Sequence, residues 1–453
     1  MAVPLAQRAA QLAPKERAML EAVGWPMELL EDPLKAPRNV ENPQKFAEAL
    51  LLEDHLEEVV ILPDGLRRVG LSAEEALPSW LTKAMAEGSV LKCLRRLGPQ
   101  ELSEHKAALE FPDDRGVQRE ALPRPYPFCL WHGEGLAHSS MPEAWRDLQQ
   151  RLSAAEALLE RGELEESQLY ACEMRRLRER TANAAAEAYG VTESTKSLCL
   201  RHGRDWLAHL AKWTLYWNCY DDGVFIGGRG SGKGLHVDQV LWSNLGKHWR
   251  GHKILVTWPA GAESARLVRD MGDAHFRAPL GKEQLEALKC ARCIALLRPG
   301  DLFLCSGGVA HATLSVSDEL TCTGYESLVA MHPRLVEHVL QTGTASGPCA
   351  LNKGVMECDE LKELREGMLQ RLTALLQEKA PKTSELKSDG LGESVALPAV
   401  RLKKHLAEAA KQMAFDPSFA VLAKGAGVCR LLAASDRILE ELEPSQKRRR
   451  TGG

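Results

Sequence analysis

Residues 227–238 read GGRGSGKGLHVD and contain two overlapping patterns that predict different kinds of site. The first eight approach the phosphate-binding loop G-x-x-x-x-G-K-[ST], but Gly234 stands where that loop needs a hydroxyl for magnesium. The residues that follow, LHVDQV, alternate like a strand, whereas a phosphate-binding loop opens into a helix. The glycines are therefore interpreted as a tight connection between two strands, which disfavours a nucleotide hydrolase.

The end of the same stretch, H-x-D, predicts two metal ligands. His236 and Asp238 lie two apart on the predicted strand, so both side chains point to one face, about 7 Å apart. Leu235 and Val237 then face apolar packing. The best third ligand is His311, which follows a Gly-Gly turn. The opposite face of the strand that carries it is apolar: Ala310, Ala312, Leu314 and Val316. Two imidazoles and one carboxylate on one side of Fe(II) leave positions open for an organic co-substrate and O2.

The surrounding region predicts a β-structure. From about residue 205, short segments rich in β-branched and aromatic residues alternate with Gly and Pro turns, which favours a β-sandwich or barrel. Eight predicted strands with their turns are WTLYWNCY, GVFIGG, GLHVDQV, HKILVTWP, CIALLRPG, DLFLCSGG, VAHATLSVS and ELTCTGYES. A helical insertion, GKEQLEALKCARC, separates the fourth from the fifth.

Several of these elements, taken in order over about residues 205–335, resemble the Jumonji-C family of Fe(II)- and 2-oxoglutarate-dependent oxygenases. They are a Gly/Ser turn leading into H-x-D, a G-x-K before an apolar strand and Pro, then P-G-D, a strand, a Gly-rich turn and the distal His. The similarity is closest to the phosphatidylserine-receptor-like lysyl hydroxylases. It implies an α+β fold with a double-stranded β-helix, a cupin-type jelly roll, flanked by N- and C-terminal helical regions.

The resemblance also implies roles for single residues. His236, Asp238 and His311 match the iron ligands, with 2-oxoglutarate and O2 as co-substrates. Lys253 matches the lysine that binds the distal carboxylate of 2-oxoglutarate, and Thr323 matches a hydroxyl that assists this lysine. A solvated lysine and an ordinary strand threonine are the alternative interpretations of these two positions.

Two positions depart from the family pattern. Many relatives carry Thr three residues before the first His, where this chain has Lys233. Many carry Asn eight residues after the Asp, where it has Gly246; Asn244, two residues earlier, is the candidate for that co-substrate contact. Tyr216 and Tyr220 precede the glycine-rich stretch and are expected to pack inside the barrel.

Patterning outside the barrel predicts helices. Residues 1–120 form a predicted N-terminal helical region, 121–140 a Pro/Gly-rich linker, 141–204 a helical segment with a break at Gly162, 205–345 the catalytic domain, 346–445 a C-terminal helical region and 446–453 a basic disordered tail. The KRRR at 447–450 fits either a nuclear import signal or a nucleic-acid contact.

Composition narrows the class of protein. The 453 residues carry a formal net charge of −4, so no global field drives the chain onto nucleic acid. No apolar run reaches a membrane span, and the N-terminus lacks a secretory signal. Twelve scattered cysteines therefore predict reduced thiols in the nucleus or cytoplasm. Cys290 and Cys293 form a lone C-x-x-C, with Cys305 nearby, and no fourth ligand supports zinc.

The sequence thus predicts a dioxygenase that hydroxylates or demethylates a protein or peptide side chain, Lys or Arg by family resemblance. The flanking helices are candidates for a homodimer surface or a substrate platform. The alternative is a catalytically inactive cupin-fold scaffold, against which the intact H-x-D…H counts.

Overall fold

A computed structural model describes the barrel region and parts of the N-terminal half. The described residues are 12–43, 45–46, 49, 58–68, 82, 85–86, 88–96, 105–110, 128–129, 152–163, 169–176, 214–216, 223–238, 243–272 and 274–330. Across these ranges, no helix combines the length and apolar character that crossing a bilayer demands. The predicted C-terminal helical region 346–445 and the tail 446–453 lie outside the described residues.

The elements alternate between strands and short helices. The helices are α1 Pro14–Ala22, α2 Met27–Leu30, α3 Gly65–Arg68, α4 Val90–Arg96, α5 Ala262–Met271 and α6 Lys282–Lys289, and residues 152–160 are also helical. The strands are β1 Arg38–Asn39, β2 Val60–Leu62, β3 His105–Glu110, β4 Phe128–Cys129, β5 Tyr170–Arg176, β6 Thr214–Tyr216, β7 Gly223–Gly227, β8 Ser243–Arg250, β9 Lys253–Thr257, β10 Cys293–Leu297, β11 Leu302–Ser306, β12 His311–Ser315 and β13 Thr321–Ala330.

The strands form two sheets. The larger has ten strands in the order β1-β2-β11-β8-β13-β7-β5-β3-β4, with β6 also paired to β13. The smaller has the order β10-β9-β12, and His236 extends it through an isolated antiparallel bridge to His311. All pairs are antiparallel except β1 with β2. Fold class is therefore mixed α and β, as the sequence predicted.

Two apolar cores follow from the alternation of side chains along the smaller sheet. Leu255 of β9 and Ala295 of β10 pack against Phe303 of β11 between the two sheets. Ile254, Val256 and the even-numbered residues of β12 point the other way, into a cluster covered by α1, α2, α5 and α6. The inner face of β9 and β12 therefore carries Leu255 together with the polar side chains described below.

Two polar contacts fix the turn between β10 and β11. The Asp301 carboxylate of the P-G-D motif accepts hydrogen bonds from the backbone N–H groups of Arg298 (2.8 Å) and Asp64 (3.0 Å). Burial raises the pKa of Asp301 to about 6. The Arg298 guanidinium in turn donates two hydrogen bonds to Glu16, at 2.6 and 3.0 Å. Helix α1 is thereby tied to the barrel by a bidentate ion pair.

Part of the predicted helical regions is strand instead. Strands β1, β2 and β3 lie within 1–120, β4 lies in the predicted linker 121–140, and β5 lies in the predicted helical segment 141–204. The helix at 152–160 ends just before Gly162, whose φ is +70°, so a break does occur there. The next element described is strand β5 rather than a second helix. Strands β3 and β5 are rich in Ala, Leu, Glu and Arg, and pairing within the larger sheet overrides their helix propensity. The domain boundaries themselves remain predictions.

Within the barrel, the predicted segments correspond closely to the strands. Each of the eight contains a strand or, for GLHVDQV, the bridge at His236, and the predicted insertion contains α6. Helix α5 and strand β8 were missed. Gly, Lys, His and Arg dilute the apolar pattern of β8, which is held because β11 and β13 bond both its edges.

Candidate metal centre

His236, Asp238 and His311 meet at one end of the barrel. One potential ligand atom from each lies within 4.8 Å of the others. The Oδ1 atom of Asp238 is 3.6 Å from Nε2 of His236 and 3.8 Å from Nε2 of His311. The backbones of the two histidines bond reciprocally, N–H to carbonyl, at 3.0 and 2.9 Å. The bridge between two chain segments therefore brings the two imidazoles together.

Backbone carbonyls fix the orientation of both imidazole rings. Nδ1 of His236 lies 2.7 Å from the carbonyl of Gly234, and Nδ1 of His311 lies 2.9 Å from that of Val309. A carbonyl oxygen only accepts, so each Nδ1 carries a proton, and Nε2 is the ring nitrogen that lies toward Asp238. Burial, then the neighbouring His311, lowers the pKa of His236 to about 3, which favours the neutral ring that binds metals.

The Asp238 carboxylate is held by Asn244. The Nδ2 group of Asn244, which is buried in β8, donates a 2.7 Å hydrogen bond to Oδ2 of Asp238. Oδ1 is then the oxygen that faces the histidines. The sequence predicted Asn244 as a co-substrate ligand, and the structure gives it a contact with a candidate metal ligand.

The glycine-rich stretch lies along the edge of β12. The N–H of Gly230, whose φ is +85°, donates to Ser315, and the N–H of Thr313 donates to the carbonyl of Lys233. A Cβ atom at Gly232 would lie 2.0 Å from the carbonyl oxygen of Thr313. Glycine is thus required for the close approach that delivers His236 to the site. Residues 235–238 contain a β-bridge and no helical turn, so the anion cradle of a phosphate-binding loop is missing here.

The three side chains fit a single divalent transition metal. A metal–nitrogen bond to imidazole is about 2.1 Å long, so one ion placed among atoms this close can bind all three after small side-chain rotations. The donor set of two neutral imidazoles and one carboxylate suits Fe(II) and similar ions. Within the described ranges, no other group of His, Cys, Asp and Glu side chains converges in this way.

Lys253 lies inside the same barrel. Its side chain is on the inner face of β9 and has no solvent exposure. Its Nζ donates a 2.7 Å hydrogen bond to the hydroxyl of Tyr170 in β5. The rings of Tyr170, Phe225 and Tyr325 surround Nζ, with centroids 5.1 to 5.8 Å away. A solvated surface lysine is therefore ruled out at this position.

Thr323 is completely buried, and its hydroxyl lies 2.8 Å from Nδ1 of His248. Nε2 of the same ring lies 2.8 Å from the carbonyl of Gly251. Burial, then the charge of Lys253, lowers the pKa of His248 to about 3. The His248 side chain is thus fully buried, and its ring contacts Thr323 of the neighbouring strand β13.

Packing explains one of the two departures from the family pattern, that at Gly246. At Gly246, a Cβ atom would lie 2.0 Å from the ring of Phe303, so no asparagine fits there. Lys233 is partly exposed, and its charge contributes to the lowered pKa of His236. Tyr220 lies outside the described residues, and for Tyr216 the structure gives only backbone pairing with Leu328.

The C-x-x-C pair does not form a metal site with the described residues. Cys290 is exposed at the end of α6, whereas Cys293 is buried in the core between the sheets. Burial raises the pKa of Cys293 to about 12, so this thiol stays protonated.

Sequence reasoning missed Tyr170, Phe225 and Tyr325 around Lys253. Tyr170 sits in a segment of helical composition, so no local pattern indicates a strand that reaches the barrel. Phe225 and Tyr325 were inside predicted strands, and only the register of β7 against β13 brings their rings to 5.1 Å.

No protein-family model matches the chain, and no curated protein is significantly similar to it. Among solved structures, one of YcfD, a ribosomal oxygenase from Escherichia coli, aligns with 16% identity over 77% of this chain and 70% of its own, at a TM-score of 0.29. Another structure of this oxygenase aligns with 15% identity over 77% of each chain at a TM-score of 0.30. A third, in complex with cobalt and 2-oxoglutarate, aligns with 14% identity over 73% of this chain and 67% of its own, at 0.29. Because these TM-scores are low, the functional argument rests on the geometry of the site.

Proposed function

We propose that this protein is an Fe(II)- and 2-oxoglutarate-dependent dioxygenase that hydroxylates a protein side chain. The observation that carries the proposal is the pairing of two features in one barrel. A His-Asp-His cluster brings together two Nε2 atoms and one carboxylate oxygen, and a buried ammonium, Lys253, lies in the same interior beside a tyrosine hydroxyl.

His236, Asp238 and His311 would hold the iron. When bound there, iron and 2-oxoglutarate together supply the oxidation that introduces an oxygen atom from O2 into a C–H bond. The chain positions the ligands: Gly234 and Val309 orient the rings, and Asn244 orients the carboxylate. Three protein ligands of this kind would leave the remaining positions of the ion to exchangeable ligands, as an open catalytic site requires.

Lys253 and Tyr170 would bind the distal carboxylate of 2-oxoglutarate. The Tyr170 hydroxyl accepts a hydrogen bond from Nζ, so its own O–H can point toward a carboxylate beside the ammonium. A charge-assisted pair of donors at a buried position discriminates strongly for an anion. The rings of Phe225 and Tyr325 lie beside Nζ and lower the polarity of this position.

We also propose that the barrel is a double-stranded β-helix. The chain passes between two sheets with the orders β7-β13-β8-β11 and bridge-β12-β9-β10. Successive strands from β7 onward return to antiparallel partners that are distant in sequence, as in a jelly roll. The packing of the two inner faces against each other supports this assignment.

The substrate proposed is a lysine or arginine side chain of a protein or peptide, modified by hydroxylation or demethylation in the nucleus or cytoplasm. The basis is the resemblance of the barrel motifs to the protein-hydroxylating branch of the Jumonji-C family. A homodimer through the flanking helices is part of the same proposal.

Metal and co-substrate binding test the proposal directly. Wild-type protein should bind Mn(II) in place of Fe(II), and then 2-oxoglutarate, each measured by calorimetry. With Fe(II) and ascorbate it should convert 2-oxoglutarate to succinate. His236→Ala should lose all three, while His252→Ala, which changes a histidine that faces Glu16 rather than the site, should keep them.

A lack of metal and co-substrate binding would contradict the proposal. A folded wild-type protein that binds neither ion nor 2-oxoglutarate would identify the barrel as an inactive scaffold. If the wild-type protein instead binds both, mass spectrometry of cellular proteins with and without the active enzyme would identify the substrate by a gain of one oxygen atom in wild-type samples alone.

A further inference from the structure

Thr323 and His248 form a buried hydrogen bond, and the other partner of the His248 ring indicates which of the two residues donates. The carbonyl of Gly251 can only accept, so Nε2 of His248, 2.8 Å away, must be the protonated nitrogen. Burial, together with the charge of Lys253, lowers the pKa of His248, so the ring is neutral and has one N–H. Nδ1 is therefore an acceptor, and the Thr323 hydroxyl, 2.8 Å from it, is the donor.

The hydroxyl of Thr323 belongs to the interior that surrounds Lys253. Thr323 is paired in register with Phe225 and lies two residues before Tyr325 on β13. The rings of both aromatic residues have centroids 5.8 Å from Nζ of Lys253. A hydroxyl has only one proton to donate, and His248 receives it.

We propose that His248 is a positioning residue that turns Thr323 into a hydrogen-bond acceptor, so that Thr323 gives no hydrogen bond to the anion at Lys253. This inference rests on the proposed 2-oxoglutarate site and states which hydroxyl there donates a hydrogen bond to the carboxylate. Tyr170, whose hydroxyl accepts a hydrogen bond from Nζ of Lys253, is then the hydroxyl that donates to the carboxylate. The family resemblance implies that Thr323 assists Lys253. Because His248 accepts the only hydroxyl proton of Thr323, that assistance is limited to accepting a hydrogen bond.

The proposal predicts an asymmetry between two variants in the affinity for 2-oxoglutarate with Mn(II) bound. Thr323→Val, which keeps the shape and removes the hydroxyl, should weaken binding by less than about fivefold, since no donor to the anion is lost. Tyr170→Phe should weaken it by about tenfold or more. A loss above about fivefold in Thr323→Val would overturn the proposal.

Variants of His248 test the positioning role. His248→Gln can still accept from Thr323 and donate to Gly251, so its affinity should match that of the wild type. His248→Phe frees the Thr323 hydroxyl, so 2-oxoglutarate binding should tighten by up to about tenfold, and only while Thr323 is present. Unchanged affinity in a folded His248→Phe protein, or the same gain in the double variant with Thr323→Val, would contradict the assignment.

A measurement on the wild-type protein remains if a variant fails to fold. Nitrogen-15 correlation spectra distinguish protonated from unprotonated ring nitrogens. The signal of His248 is the one that is missing in His248→Gln, or the one that does not titrate between pH 5 and pH 8. Nδ1 should be unprotonated over that range. A protonated Nδ1 would overturn this inference whether or not the protein binds 2-oxoglutarate, whereas a wild-type protein that binds no 2-oxoglutarate would contradict the proposed function alone.

Discussion

Nζ of Lys253 donates a 2.7 Å hydrogen bond to the hydroxyl of Tyr170, which lies 83 positions earlier in the chain. The contact joins β9 of the smaller sheet to β5 of the larger one across the barrel interior. It is the element of the candidate site that depends most on tertiary structure. It also identifies the first residue to change when the proposed anion pocket is tested.

Replacing Tyr170 by Phe should lower the affinity for 2-oxoglutarate by about tenfold or more, because a hydrogen-bond donor is lost at a buried position. Calorimetry with Mn(II) bound measures this effect. Mn(II) affinity itself should be unchanged, since two backbone carbonyls and Asn244, rather than Tyr170, orient the three candidate ligands. Equal losses of metal and 2-oxoglutarate binding would instead indicate a general collapse of the barrel.

Replacing Asn244 by Leu should weaken Mn(II) or Co(II) binding by about 10- to 100-fold, the usual effect of losing a hydrogen bond that orients a metal ligand. The cause is the freed Oδ2 atom of Asp238, which lets the carboxylate rotate away from the two Nε2 atoms. Thr321→Val is the matched control, because it removes an equally buried hydrogen-bonding side chain whose partners are Gly227 and Ser315. An unaltered metal affinity in a folded Asn244→Leu protein would exclude this role.

Replacing Gly232 by Ala should destabilise the turn that delivers His236. The new Cβ atom would lie 2.0 Å from the carbonyl oxygen of Thr313, so the turn must move away from β12. We expect a lower midpoint of thermal unfolding together with weaker metal binding. Gly281→Ala is the control, since the nearest atom to its new Cβ is a side-chain oxygen at 3.5 Å. Equal effects in the two variants would argue against a specific role of the turn.

Replacing Glu16 by Gln should lower the free energy of unfolding by about 1–3 kcal/mol, because the half-buried Arg298 loses its bidentate partner. Chemical denaturation measures this loss. The control is Arg17→Ala, which changes a residue on the same helix as Glu16 and breaks its exposed ion pair with Glu31. It should cost about 0.5 kcal/mol or less. If the two variants lose the same stability, the link between α1 and the β10–β11 turn is unimportant.

The side-chain faces around the metal centre were predictable from sequence. Period-two alternation assigns His236 and Asp238 to one face and Leu235 to the other, and Leu235 does pack into the outer cluster. The same rule places Ala312 and Leu314 behind His311, where the structure has them. Alternation is a local property of any strand, so it needs no knowledge of the partners.

The polar partners were not predictable, because they join residues that are distant in sequence. Whether Asn244 touches the co-substrate or Asp238 depends on how β8 sits beside the turn after Asp238. Whether Thr323 meets Lys253 or His248 depends on the register of β13 against β8, which shifts between Cys322 and Thr323. A shift of one residue changes which side chains face each other, and sequence pattern does not encode it.

By itself, the sequence determined that a glycine-rich turn leads into H-x-D, that a distant strand supplies a second histidine, and that the region is built of strands. Local sterics and alternation are sufficient for these conclusions. Only the tertiary structure decided that Tyr170 reaches Lys253, that Asn244 holds Asp238 and that His248 takes the proton of Thr323. The physical reason is that burial forces each polar group to find a partner, and only the packing of the two sheets determines which partner is within reach.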